Sequence, residues 1–186
     1  QINIIVVDNS NDEIFKKYLE NKYNNVKCIL SSKNLGMGPG NNLGLKHVTT
    51  DFAMILNPDV ILERNTIQKI IDVSKNIESF AVLAPLCDDN KYPNYRLFKK
   101  KIKSFVNNEY FKVKSIDGFL MVLNLKQINQ HESFKDNKYF DENFFMYLEN
   151  DDFCKRLSQN GENIFILKNA KIRHLGAKAV NEKYAY

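Results

Sequence analysis

The stretch that most restricts how this chain can fold is Phe52-Ala53-Met54-Ile55-Leu56-Asn57-Pro58-Asp59-Val60. Phe52 to Leu56 are apolar without a break and polar residues flank them. That is the pattern of an inner parallel strand covered on both faces. Asn57-Pro58 ends the strand, because proline has no ladder donor and restricts the residue before it. Asp59 therefore falls at the carboxyl end of a central strand, where open α/β sheets bind ligands. A helix cap worth about 1 kcal/mol would equally account for an aspartate there.

Other elements alternate around this strand. Ile2 to Val7 is apolar apart from Asn3 and runs into the polar turn Asp8-Asn9-Ser10-Asn11-Asp12. Ile14, Phe15, Tyr18 and Leu19 then recur with helical period, predicting a helix over about 13–21. Val26 to Leu30 predicts a second strand, a helix is expected from about Pro39 to Val48, and another from Glu63 to Asn76 with Ile67, Ile70, Ile71 and Ser74 inward. Phe80 to Ala84 is the next strand, ended by Pro85. The βαβαβαβ order predicts a largely parallel sheet. Asp8, like Asp59, closes a strand; a turn-forming aspartate is the competing reading.

Between the second strand and the following helix lies Asn34-Leu35-Gly36-Met37-Gly38-Pro39-Gly40-Asn41-Asn42-Leu43-Gly44. It lacks the Lys-Ser/Thr pair of a P-loop and the glycine spacing of a dinucleotide fingerprint. Glycines permit tight turns and close approach of backbone to ligand, and the amides of Asn34, Asn41 and Asn42 suit a nucleotide or sugar. An irregular loop is the plainer alternative.

The second half departs from the alternation. Leu97 to Phe111 is basic with interspersed aromatics, including Lys99, Lys100, Lys101, Lys103 and Phe105. A solvated face is the default for such a run; peripheral membrane contact through Phe98, Phe105 and the lysines is the sharper expectation. Ile116-Asp117-Gly118-Phe119 turns into an apolar strand, and a short helix is expected over Leu125 to Glu132. Aromatics from Phe140 to Tyr147 lead into Glu149-Asn150-Asp151-Asp152 and a helix with Phe153, Cys154 and Leu157 inward. Carboxylates in a first helical turn are favoured by the helix dipole, but this group is also a candidate general-base position. Asn163 to Leu167 is a last short strand, and His174 follows. A carboxylate and an imidazole could share a divalent ion beside a phosphorylated ligand. No serine sits in a nucleophile elbow.

The 186 residues suit one domain, and 44% hydrophobic with 26% charged residues is ordinary globular composition. A net charge of +5 is compatible with an anionic ligand without choosing one. With 27 basic against 22 acidic residues and no recognisable module, a nucleic-acid partner is not expected. Cys28, Cys87 and Cys154 form neither a disulfide framework nor a zinc motif, which fits a reducing cytoplasm. The chain opens on Gln1 directly in a strand pattern, so a preceding segment is expected.

Taken in order, Val6-Val7-Asp8-Asn9-Ser10, Asn34-Leu35-Gly36, Gly40-Asn41-Asn42-Leu43-Gly44, Leu56-Asn57-Pro58-Asp59, Asp117-Gly118-Phe119-Leu120-Met121, Phe140-Asp141-Glu142-Asn143-Phe144-Phe145-Met146-Tyr147, Glu149 to Cys154 with Arg156, and His174 resemble the family 2 glycosyltransferases. The rhamnosyltransferase-like branch is the nearest pattern. The resemblance implies an α/β GT-A fold, Rossmann-like, with a mainly parallel mixed sheet flanked by helices and lacking the family's first strand. It implies a nucleotide-binding half at 1–84 and an acceptor and catalytic half at 85–186.

It also implies inverting transfer of a sugar from a nucleoside diphosphate sugar to a glycan or lipid-linked acceptor hydroxyl, in bacterial polysaccharide biosynthesis at the inner face of the membrane. Asp8, Asn34, Gly36, Asn42, Asn57, Asp117 and Gly118 would line the donor. Asp59 and His174 would hold Mn or Mg. Glu149-Asn150 stands where the family has a Glu-Asp pair, so Glu149 is expected to be the base, with Asp151 and Asp152 as alternatives. A sugar-nucleotide-binding protein or inactive fragment without transferase activity is the alternative, followed by a nucleotidyltransferase; a response-regulator-like domain leaves the Gly/Asn loop and late histidine unexplained. Acceptor contacts are expected between Cys87 and Phe111.

Overall fold

The computed structural model describes residues 2–87, 93–98 and 109–176. Of the expected membrane contact only Phe98 is among them; Lys99 to Phe105 lie outside the described residues, as does most of the expected acceptor segment. In chain order the elements are β1 (Ile4–Asp8), α1 (Glu13–Lys22), β2 (Val26–Leu30), α2 (Met37–Leu45), β3 (Phe52–Leu56), β4 (Val60–Leu62), α3 (Thr66–Asn76) and β5 (Val82–Cys87). Then follow β6 (Tyr95–Arg96), β7 (Tyr110–Lys112), β8 (Ser115–Ile116), β9 (Leu120–Asn124), α4 (Leu125–Ile128), a 3₁₀ turn (Glu132–Asn137), α5 (Glu149–Gln159) and β10 (Ile164–His174).

The architecture is α/β, a mixed sheet flanked by helices. β1 and β2 pair in parallel as a separate ribbon. The main sheet runs β3-β9-β5-β10-β4, with β7 added on β10. Within it β5 and β10 are parallel, whereas β9 lies antiparallel to both β3 and β5. Local alternation predicts a largely parallel sheet because it cannot see β9, a strand from the second half that inserts between two strands of the first. For the same reason β3 is not the inner strand its apolar run suggests. Among the described residues it pairs only with β9, and Phe52 and Leu56 are exposed.

The central strands alternate strictly between two cores, as the period of two requires. Val82, Ala84, Met121, Leu123, Ile164 and Ile166 face α4 and α5, against Phe153, Cys154, Leu157, Phe134 and Phe140. Leu83, Leu120, Val122, Phe165 and Leu167 face α3, against Ile70, Val73 and Ile77. Helix α3 begins at Thr66 rather than Glu63; Ile70 is inward as expected, but Val73 takes the inward place and Ile71 is exposed.

Pro85 does not end β5. It sits opposite Leu167, and the register of β10 jumps from Leu167 to Lys171 immediately beyond it. A bulge opposite a proline accommodates the missing donor. Asn94 supplies the other half of the repair, donating to the Pro85 carbonyl at 2.9 Å and accepting from the Cys87 N–H at 3.1 Å. β10 continues past the bulge for eleven residues in all, far beyond the short strand expected. That extension brings His174 alongside Val60 of β4.

Candidate functional site

Asp59 lies in the turn between β3 and β4. The Asn57 N–H donates to the Phe119 carbonyl at 2.9 Å, and the Val60 N–H closes the turn onto the Asn57 carbonyl at 3.2 Å. β4 then pairs antiparallel with the end of β10, and the Leu175 N–H donates to the Asp59 carbonyl at 2.9 Å. These backbone bonds place His174 Nε2 3.3 Å from Asp59 Oδ2. The imidazole is fixed from its other face by Phe119, stacked with a centroid separation of 4.2 Å and an interplanar angle of 17°. Asp59 is buried, and its Oδ1 has no hydrogen-bond partner. A buried carboxylate oxygen without a donor is costly unless a cation meets it. The oxygen and nitrogen donors of Asp59 and His174 suit Mn or Mg. Among the described residues no cluster of three or more ligating side chains exists. Asp59 and His174 are the side chains that would hold such an ion, and a phosphorylated ligand would have to supply further oxygen donors.

The second part of the site is the first turn of α5. Asp151 is paired with Arg96 of β6, and Asp152 accepts from Arg156 Nε at 2.7 Å. Glu149 is different. It is buried beside Gly38 and Gly118, and its Oε2 has no partner. Asn150 donates from Nδ2 to the Ile116 carbonyl at 2.7 Å. Of the three candidate bases, Asp151 and Asp152 are each ion-paired with an arginine through one oxygen, whereas Glu149 is in no ion pair and its Oε2 is buried without a partner. An added Cβ on Gly118 would lie 2.8 Å from the flexible end of Met37 and 3.7 Å from Glu149 Oε1, so Gly118 sits directly beside the Glu149 carboxylate.

Asp117 joins the two parts. Its N–H donates to the Asn94 carbonyl at 3.0 Å, and Asn94 is itself pinned to the end of β5. Burial raises the Asp117 carboxyl above its ordinary value, and the nearby charges of Arg96 and His174 offset only part of that. The folded protein therefore holds this proton more tightly than the unfolded chain, and stability falls as pH rises from the unfolded value through the folded one. In the metal-free protein, Asp117→Asn is expected to raise the melting temperature at pH 7. The gain should vanish near pH 3, where both states carry the proton; melting curves at the two pH values check this.

The remaining expected donor residues separate into turn builders and clamps. Asp8 accepts from Ser10 Oγ at 2.7 Å, from the Ser10 N–H at 2.9 Å and from the Asp12 N–H at 2.8 Å. Burial raises its carboxyl, but these three hydrogen bonds outweigh that and hold it below the usual carboxylate range. Asp12 in turn caps α1 through the Ile14 and Phe15 amides. Asn34 Oδ1 accepts from the Gly36 N–H at 3.0 Å. Gly36 is left-handed at φ 82°, and any Cβ there would overlap the Phe145 carbonyl. Asn42 is fully buried and bonded at both ends: Oδ1 takes the Phe140 N–H at 3.0 Å, and Nδ2 donates to the Phe140 carbonyl at 2.8 Å and to Glu142 at 3.2 Å. This amide clamps the aromatic segment to α2 and has no donor left for a nucleotide. Asn42→Ala would orphan both Phe140 backbone groups, costing about 2–4 kcal/mol in chemical denaturation.

Arg96, Asn94 and Phe119 enter the site without having been singled out from sequence. Phe119 lay inside the Asp117-Gly118 motif, and its stacking on His174 has no local signature. Arg96 has no local signature, because it lies among other cations and its partner is on α5.

Comparison with known proteins gives the family and the fold. The chain belongs to the glycosyl transferase family 2, whose profile matches residues 1–132. The low-salt glycan biosynthesis hexosyltransferase of Haloferax volcanii is 23% identical over 177 aligned residues, covering 86% of this chain and 54% of that protein. The chain thus spans about half the length of this curated relative. Among solved structures, GalNAc-T7 with UDP, GalNAc and Mn2+ superposes with a TM-score of 0.72 at 15% identity, over 92% of this chain and 37% of the other. A mannosyltransferase of Pyrobaculum calidifontis with GDP-Man and Mn2+ gives 0.65 at 10% identity, over 98% and 49%. At such identities the structures establish the GT-A fold alone. Among the described residues no helix is long and apolar enough to cross a membrane.

Proposed function

We propose that the chain carries the catalytic core of an inverting glycosyltransferase that moves a sugar from a nucleoside diphosphate sugar to a hydroxyl of a glycan or lipid-linked acceptor. The observation that carries the reading is the pairing of two unsatisfied buried carboxylates. Asp59 Oδ1 lies beside His174, and Glu149 Oε2 lies beside Gly118. Asp59 and His174 would hold a Mn or Mg ion, which when bound neutralises charge on the departing diphosphate.

Glu149 takes the proton of the acceptor hydroxyl as its oxygen bonds to the anomeric carbon. The bond from that carbon to the diphosphate oxygen breaks with inversion, and nucleoside diphosphate leaves. Removing the proton in the transition state is worth about 10²–10⁴-fold in rate. Asp117 and Gly118 adjoin the sugar, while Asp8, Asn34, Gly36 and Asn57 belong to the nucleotide side in residues 1–84. Asn42 acts through the backbone of Phe140.

The rhamnosyltransferase-like branch rests on motif order only. The similar proteins from Haloferax volcanii and Pyrobaculum calidifontis do not favour a bacterial source. A place at the cytoplasmic face of the membrane rests on the free cysteines and on the basic stretch outside the described residues. The alternative, donor binding without transfer, draws on Asn150 standing in the place of the usual base. Product analysis with a panel of donors and Mn2+ decides. Release of nucleoside diphosphate is expected; release of pyrophosphate would identify a nucleotidyltransferase, and binding without release would favour the alternative.

A further inference from the structure

Among the described residues, Asn11, Asn65, Asp136, Tyr147 and Leu148 have a left-handed backbone without being glycine. Asparagine and aspartate enter that region readily, whereas larger side chains rarely do. Tyr147 and Leu148 are therefore the two anomalies, and they are consecutive, at φ 68° and 69°. Their side chains do not explain it, because Tyr147 is 75% and Leu148 57% exposed. Nor does the Leu148 side chain cap α5. Strain of this kind persists only where the surroundings over-determine it, and it clusters at functional sites. The surroundings here are anchors on either side of the pair. Upstream, the Phe145 carbonyl accepts the Met37 N–H at 3.0 Å and abuts Gly36, and Asn42 clamps Phe140. Downstream, the Leu148 carbonyl accepts the Asp152 N–H at 2.9 Å, and Asn150 Nδ2 donates to the Ile116 carbonyl at 2.7 Å.

The residue that this turn delivers is Glu149. Its carboxylate is buried with Oε2 unpartnered, in a slot walled by two glycines. A Cβ added to Gly38 would lie 3.4 Å from Glu149 Cβ, and one added to Gly118 would lie 3.7 Å from Glu149 Oε1. We propose that Tyr147 and Leu148 are positioning residues. Their left-handed backbone, not their side chains, sets the first turn of α5 so that the Glu149 carboxylate enters the slot between Gly38 and Gly118. The catalytic consequence rests on Glu149 being the base; the placement of its carboxylate does not.

Two substitutions at Leu148, made in the whole chain, separate backbone from side chain. Asparagine tolerates left-handed backbone, so Leu148→Asn keeps the turn and relieves the strain. Valine is β-branched and strongly disfavoured there, so Leu148→Val drives the turn out of that conformation. Leu148→Asn is expected to melt higher than the unaltered chain and to keep its turnover, read as nucleoside diphosphate release. Leu148→Val is expected to lose at least about tenfold in turnover at saturating donor with donor Kd unchanged, because a misplacement of about 1 Å can cost about 100-fold. Amide exchange, followed by NMR in the metal-free proteins, is expected to speed up at Met37 and Asp152 in Leu148→Val and in Tyr147→Val, but not in Leu148→Asn. Turnover and exchange in Leu148→Val equal to those of the unaltered chain would overturn the proposal. So would an equal loss in Leu148→Asn, which would assign the role to the leucine side chain. If Glu149→Gln retains full turnover, or the unaltered chain has none, the base reading falls and exchange decides the placement. Faster exchange in the valine variants but not in Leu148→Asn then upholds it, and equal exchange overturns it.

Discussion

Asp59→Ala is expected to weaken Mn2+-dependent binding of nucleoside diphosphate by more than about 100-fold, a larger loss than outer-shell substitutions at metal sites bring. The melting temperature of the metal-free protein should not fall. The two expectations come from one fact. Asp59 Oδ2 pairs with His174, but Oδ1 is buried without any partner, and the cost of burying that oxygen offsets what the pair contributes when no cation is bound. The turn that holds it is secured by backbone groups, namely Asn57 N–H to Phe119 and Leu175 N–H to the Asp59 carbonyl, and these survive the substitution. A merely structural aspartate would behave in the opposite way, with stability lost and binding spared. Calorimetric titration beside a melting curve separates the two.

Glu149→Gln is expected to lower turnover by about 10²–10⁴-fold while donor affinity changes little, because general-base help acts in the transition state. The assay is nucleoside diphosphate release at saturating donor, with Kd measured on the same sample. Asp151 and Asp152 cannot substitute readily, since Arg96 and Arg156 hold them as ion pairs. Position 150 is built for an amide: its Nδ2 serves the Ile116 carbonyl, and a carboxylate there would face that oxygen without a proton to give. The departure from the family's Glu-Asp pair is therefore matched by the local structure. Equal loss in Asp151→Asn and none in Glu149→Gln would reassign the base.

The sequence carried more of the site's composition than of its assembly. Asn57-Pro58 located Asp59 at a strand end, and the helical period located the Glu149 turn. Nothing local could bring Asp59 to His174, because that contact depends on β10 bulging opposite Pro85 and running on to reach β4. Apolar runs looked alike at the centre and edge of a sheet, so β3 read as an inner strand. Asn42 shows the limit most clearly. An amide in a glycine-rich loop has the same signature whether it meets a ligand or the backbone of Phe140, and only the long-range packing of α2 on the aromatic segment decides.

The most direct test of the central claim is a titration of the unaltered chain with Mn2+, with and without nucleoside diphosphate, followed by the electron paramagnetic resonance signal of free Mn2+. Two protein ligands alone should hold the ion weakly, and nucleoside diphosphate should tighten it by about tenfold or more through reciprocal coupling. His174→Ala should remove that coupling. Mn2+ binding that is indifferent to nucleotide, or that persists undiminished in both Asp59→Ala and His174→Ala, would contradict a metal-assisted sugar-nucleotide site at this strand end.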